Sequence, residues 1–176
     1  WVQALRVGDP ASADSDLGAM VSKAHYDKVL GCIEHARAEG GRVLCGGSAI
    51  TLPGRCADGW FIAPTVIEGL ASGTETNQQE IFGPVVTLQP FDTAIEAVTL
   101  ANATRYGLAS TLWTSDVTRT HRMARTLKTG IVWVNCWMLR DLRTPFGGMK
   151  QSGVGREGGE DALRFFTEAT NVCIKL

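Results

Sequence analysis

Apolar positions along this chain recur with two periods, one helical and one extended, and the two alternate. From Ser22 to Glu39 the residues Val29, Leu30, Ile33 and Ala36 fall on one helical face, with Ser22 as N-cap and Gly40-Gly41 as a left-handed exit. Arg42 to Cys45 then reads as a short strand and the glycine-rich Gly46 to Gly59 as loop. Trp60 to Ile67 reads as a strand that Pro64 interrupts, which suits an edge or irregular strand. Val85 to Leu88 is a strand of the buried type. Thr93 and Glu96 have capping-box spacing and start a helix with Ile95, Val98 and Leu100 toward the core, ending before Tyr106-Gly107.

Ser110 to Trp113 returns as a strand, and Ser115 or Asp116 caps a helix from Val117 to Leu127 that Lys128-Thr129-Gly130 closes. Ile131 to Val134 is the clearest central strand. A long loop from Asn135 to Glu157 leads to a short helix around Asp161 to Phe166, and Asn171 to Leu176 closes the chain as an apolar, extended strand. Alternation of helix and strand at βαβ spacing predicts an α/β fold, a largely parallel sheet with flanking helices.

Charge and composition narrow the function. The 17 Lys and Arg are balanced by 18 Asp and Glu for a net charge of -1, so nothing marks a nucleic-acid or anionic-membrane partner. No apolar run reaches the length of a membrane span, and no signal-peptide order opens the chain. The five cysteines, Cys32, Cys45, Cys56, Cys136 and Cys173, are odd in number and widely spaced, as expected of reduced thiols in the cytoplasm. His25, His35 and His121 lack metal-ligand spacing with each other or with cysteines, so no metal site is expected.

Several motifs invite a chemical reading. Gly153-x-Gly155-x-x-Gly158 matches the dinucleotide fingerprint by letter, but loop precedes it and no acid follows about 20 residues on. It reads as a tight glycine turn. In Glu80-Ile81-Phe82-Gly83-Pro84 the carboxylate can accept both hydroxyls of a ribose and the ring can brace a flat heterocycle. By themselves the two also fit a surface acid beside a core aromatic. Asn135 and Cys136 lie at the carboxyl end of a strand, where parallel sheets place ligands. Cys136 has no neighbouring His or Glu to activate it, and it reads as structural. Arg140 offers a planar fork suited to a carboxylate, or else pairs with Asp141 or another acid to fix its loop, as Arg143 also can.

The runs Glu80 to Pro84 and Pro145-Phe146-Gly147-Gly148-Met149-Lys150-Gln151-Ser152-Gly153-Val154-Gly155-Arg156-Glu157 together resemble the catalytic domain of the aldehyde dehydrogenase family. The resemblance runs from Arg6 to Leu176. It implies that Glu80 binds the nicotinamide ribose and Phe82 borders the nicotinamide ring. It also implies that Asn135, Arg140 and Phe146 line the substrate funnel. The segment Asn135 to Arg143 and the closing Thr170 to Leu176 are similar to the muconic-semialdehyde branch of that family, which implies NAD as cofactor, with NADP not excluded, and an aldehyde bearing an acid group.

The same resemblance implies a thiohemiacetal mechanism whose nucleophilic Cys and general-base Glu lie upstream, outside this chain. On that reading residues 1–166 are the C-terminal portion of a catalytic domain and residues 167–176 an oligomerisation strand of a homodimer or homotetramer. Trp1 opens the chain in what reads as mid-helix, consistent with the C-terminal part of a larger enzyme. The alternative is a noncatalytic α/β binding or assembly module derived from such an enzyme.

Overall fold

A computed structural model describes residues 1–176, which form two compact units, Trp1–Pro90 and Phe91–Leu176. The opening residues, expected in a helix, form only a 3-10 turn, Val2–Ala4.

In the first unit α1 (Lys23–Ala38) starts where Ser22 accepts a hydrogen bond from the His25 N–H at 3.2 Å, and Gly40 takes φ 91 just beyond its end. Its buried face is Val29, Ile33 and Ala36, each with no exposed surface. Burying a Val or Ile side chain contributes about 1.5–3 kcal/mol, so this stripe offsets a part of the backbone ordering cost of about 1–2 kcal/mol per residue. β1 (Arg42–Cys45) follows as expected. The stretch read as loop then supplies β2 (Ala49–Ile50) and a 3-10 turn, Gly54–Cys56. β2 pairs antiparallel with β3 (Phe61–Ile62), a ladder too short for an alternating pattern to reveal.

The run expected as an edge or irregular strand is irregular, broken at Ala63-Pro64, and its second part is the centre of a sheet. β4 (Thr65–Glu68) lies between β1, antiparallel to it, and β5 (Val85–Leu88), parallel to it. Pro64 precedes β4 and removes no donor from its ladder; the first bond runs from the Thr65 N–H to the Pro84 carbonyl at 2.8 Å. β5, expected to be buried, is the edge: Val85 packs into the core while Val86 and Leu88 are exposed. Ile62, Ile67 and Leu70 complete the core against α1.

One short helix escaped the pattern altogether. α2 (Glu75–Gln78) is held by the carboxylate of Glu39, at the end of α1. That carboxylate accepts from the Glu75 N–H at 2.7 Å, the Thr76 N–H at 3.1 Å and the Thr76 hydroxyl at 2.6 Å.

The second unit begins with α3 (Ala94–Asn102). Thr93 caps the Glu96 N–H at 3.1 Å, and the Glu96 carboxylate reaches back to the Asp92 N–H at 2.8 Å. Ile95, expected on the core side, is 76% exposed, so this helix buries less of its stripe than its sequence suggests. β6 (Tyr106–Gly107) was not expected. β7 (Ala109–Leu112) leaves Trp113 exposed beyond its end, and Asp116, one of the two expected caps, starts α4 (Val117–Thr126).

β8 (Ile131–Val134) pairs parallel with β7 and has no strand on its other side, so the expected central strand lies at an edge of a two-stranded sheet. Inside the long loop β9 (Met149–Lys150) pairs antiparallel with β6. α5 (Gly159–Phe166) starts two residues before the expected point. The α/β class thus holds, with parallel pairing in both units, while the strands are distributed over four small sheets. Asn171 to Leu176 is not a strand: no other segment pairs with it, and Val172, Ile174 and Leu176 are exposed. A strand exists only when its N–H and C=O groups meet a second one. No helix is long and apolar enough to cross a membrane.

The Glu39 clasp makes a pH prediction. The Thr76 hydroxyl, helped by the Thr76 and Glu75 N–H groups, holds the Glu39 carboxyl below its ordinary value of 4.5, against an opposing desolvation effect. A carboxyl lowered by folding stabilises above its unfolded pKa and loses that contribution as pH falls through the folded one. Glu39→Gln is therefore expected to flatten the loss of stability below about pH 4.5, measured as denaturation midpoint against pH.

Candidate functional site

Two clusters carry the candidate residues, one in each unit. In the first, the segment Glu80 to Pro84 runs from α2 to β5 along α1. Ile81 packs on the α1 core, and Gly83 lies so close to Val29 that an added Cβ would meet both its methyls at 2.8 Å. Lys28 of α1 donates from Nζ to the Glu80 carbonyl at 2.8 Å. The Glu80 carboxylate itself is exposed and has no partner. Phe82 sits in the left-handed region, φ 57, with its ring 75% exposed. His25 meets it twice: Nε2 lies 2.6 Å from the Phe82 carbonyl, and the two rings contact edge to face at 5.9 Å. A cleft of about 470 Å³ adjoins the ring, lined also by Leu17, Met20, Ile62 and Pro84.

The second cluster hangs from β8. Asn135, φ 54, closes the strand by a pair of hydrogen bonds to Thr114: its Oδ1 accepts from the Thr114 N–H and its Nδ2 donates to the Thr114 carbonyl, both at 2.8 Å. Its amide is thereby committed to the backbone. Trp133, 5% exposed, donates from its indole N–H to the Leu139 carbonyl at 2.8 Å and packs edge to face on Trp137. These bonds fold the loop back on the strand and deliver Arg140.

The Arg140 guanidinium lies over the Phe146 ring, 4.0 Å from its centroid, and Nη2 donates to the Glu157 carboxylate at 3.0 Å. Glu157 and Phe146 are in turn joined by two backbone bonds. Asp141 pairs with Arg143 instead, and the Arg143 side chain, with its N–H, holds the Asp141 carboxyl below the usual carboxylate range. Both arginines thus have acids on their loop, as one reading of the sequence anticipated. Cys136 is half-buried and all five cysteines are free thiols.

The glycine-rich run explains itself by close approach. An added Cβ on Gly148 would strike Ser152, and Gly158, φ 90, leaves no room for one beside the Thr144 carbonyl. The polar residues of the run bind backbone: Lys150 Nζ donates to the Asn102 and Thr104 carbonyls at 3.0 and 2.8 Å, and Arg156 Nη1 to the Gly148 carbonyl at 2.9 Å. The strand before it is the antiparallel β9, not the parallel strand of a dinucleotide-binding unit.

Residues 1–172 match the family model described as "Aldehyde dehydrogenase family". The chain belongs to the aldehyde dehydrogenase family. It is 48% identical to the 2-aminomuconic semialdehyde dehydrogenase of Danio rerio, over 99% of this chain and 37% of that protein. It is also 48% identical to the 2-hydroxymuconic semialdehyde dehydrogenase of Pseudomonas sp. strain CF600, over 99% of this chain and 36% of the relative. The crystal structure of Staphylococcus aureus betaine aldehyde dehydrogenase in complex with NAD+ superposes with a TM-score of 0.86 at 38% identity. That match covers 94% of this chain and 33% of the other. The chain therefore spans a little over a third of the length of the curated relatives it matches.

Of the residues this aldehyde dehydrogenase segment was expected to use, Glu80 and Phe82 lie on one loop, and Arg140 and Phe146 are in direct contact. Sequence reasoning missed His25, Trp133 and Glu157. His25 carried no signal, being one polar residue on a helix; Trp133 was read only as strand. Asn135→Ala removes both bonds to Thr114 and a residue that tolerates positive φ. It is expected to lower stability by about 1–2 kcal/mol in chemical denaturation.

Proposed function

We propose that this chain is part of an NAD-dependent oxidoreductase that converts an aldehyde to a carboxylic acid, and that the aldehyde carries an acid group of the muconic-semialdehyde kind met in aromatic-compound catabolism. The observation that carries the substrate class is the Arg140 guanidinium stacked on Phe146 at 4.0 Å with a single donor engaged. An arginine presents five N–H donors, so the remaining edge can receive a carboxylate while Phe146 fixes its plane. Its side chain is 31% exposed, open enough to be reached and enclosed enough to be worth reaching. The muconic semialdehyde dehydrogenases among its relatives support the same choice.

The residues of the first unit suit a nicotinamide cofactor. The unpartnered Glu80 carboxylate has its acceptors free for ribose hydroxyls, and the exposed Phe82 ring offers a face to a flat heterocycle beside an open cleft. When bound, NAD supplies the acceptor for the aldehyde hydride. Glu80 orients its sugar, Phe82 limits the tilt of its ring, and Arg140 with Phe146 anchors the far end of the substrate. Asn135 serves this pocket by fixing the strand end from which the loop departs. The nucleophile and general base belong to protein outside this chain.

In the same reading residues 1–166 are catalytic domain and 167–176 an oligomerisation strand. Its exposed Val172, Ile174 and Leu176 would pair with another subunit in a homodimer or homotetramer. Five free thiols suit the cytoplasm.

Two substitutions in the full-length protein test the assignment. Glu80→Gln is expected to raise the KM for NAD and slow turnover with unchanged melting temperature, and unaltered constants for cofactor and aldehyde would reject the cofactor role. Arg140→Ala should raise KM about tenfold for an acidic semialdehyde, the loss of one charge-assisted bond, and leave a neutral aldehyde unaffected. Equal losses on the two substrates would make Arg140 a loop brace held by Glu157.

A further inference from the structure

Phe82 combines two features that packing alone does not explain. A left-handed backbone is unfavourable for an ordinary residue, and a residue with φ 57 needs its surroundings to hold it there. A core aromatic would be held by burial, yet this ring is 75% exposed. What holds it is the backbone on either side. Gly83 is wedged against Val29, the Pro84 carbonyl is tied to the Thr65 N–H, and the Phe82 carbonyl is met by His25 Nε2 at 2.6 Å. Of these, only the His25 contact acts on Phe82 itself, and the same imidazole abuts the ring at 5.9 Å.

We propose that His25 is a positioning residue for the nicotinamide ring: by donating from Nε2 to the Phe82 carbonyl, it keeps the Phe82 ring turned outward, ready to border the cofactor. The inference rests on the assignment of Phe82 to the nicotinamide. Only the tautomer with hydrogen on Nε2, or the imidazolium, can make this bond, because a carbonyl oxygen only accepts. His25 sits in the first turn of α1, whose Val29, Ile33 and Ala36 are wholly buried, so the donor projects from a rigid base. The aromatic ring is thus set by a helix rather than by its own loop, which lets it stay exposed without becoming mobile.

Three variants of the full-length protein, titrated with NAD by calorimetry without aldehyde, test this. His25→Leu should weaken NAD binding about fivefold, the loss of one hydrogen bond. His25→Asn, polar but too short to reach the carbonyl, should do the same where leucine disturbs α1. His25→Gln, which can still donate at that distance, should stay within about twofold of wild type. The KM for aldehyde should be unchanged throughout. Phe82→Ala is titrated beside them. If Phe82→Ala weakens NAD binding while His25→Leu and His25→Asn do not, the positioning role is overturned and the cofactor assignment stands. If Phe82→Ala also leaves binding unchanged, the assignment itself fails and takes the inference with it. Equal losses in all three His25 variants would reduce the contact to a structural one.

Discussion

The face of α1 that carries Val29, Ile33 and Ala36 is the constraint on which the first unit depends. These three side chains, with Ile62, Ile67 and Leu70 beneath them, form its deepest core. Everything placed near Phe82 is referred to that helix: Ile81 packs on it, Gly83 abuts Val29, Lys28 and His25 reach from it to the Glu80 and Phe82 carbonyls, and Glu39 at its end holds α2. A loop of five residues has no core of its own. Its precision is borrowed from a helix that cannot shift without opening the interior.

The second unit is built on a different balance. Trp133 is its one deeply buried apolar side chain, and Leu163, Phe165 and Phe166 of α5 are exposed. Order there comes from hydrogen bonds between side chains and backbone and from glycines that let strands of loop approach closely. Lys150 on the Asn102 and Thr104 carbonyls and Ser152 on the Gly107 N–H tie the glycine-rich run to its neighbours, and Arg156 on the Gly148 carbonyl closes it on itself. This explains why the run is so recognisable. Its glycines answer steric requirements, and Lys150, Ser152 and Arg156 answer backbone groups.

Helices whose caps and stripes agree were legible in the sequence. Ser22, Thr93 and Asp116 all accept the expected N–H bonds, because capping is a local interaction between residues three apart. Strand roles were legible as strands but not as positions in a sheet. Pro64 marked the Trp60 to Ile67 run as edge or irregular, and Val85-Val86-Thr87-Leu88 read as buried because it is apolar; the break at Pro64 is there, but neighbours put β4 at the centre and β5 at the edge, and neighbours are not in a local pattern. Short ladders such as β2 with β3 and β6 with β9 are two residues long, below any period. For the site, Glu80, Phe82 and Arg140 were picked out from residue type and resemblance. Their neighbours His25 and Glu157 are joined to Phe82 and Arg140 by contacts across distances in sequence that no motif spans, 57 residues for His25 and Phe82 and 17 for Arg140 and Glu157.

The paired hydrogen bonds between Asn135 and Thr114 separate two problems that proteins often have to solve together. They seal the ends of β7 and β8 in register at the point where the loop departs. Residues 136 to 144 can therefore vary wherever they do not touch β8, with Trp137 and the Leu139 carbonyl, both held by Trp133, as their fixed points. A loop pinned this way can be rewritten between those points without repairs to the ladder behind it.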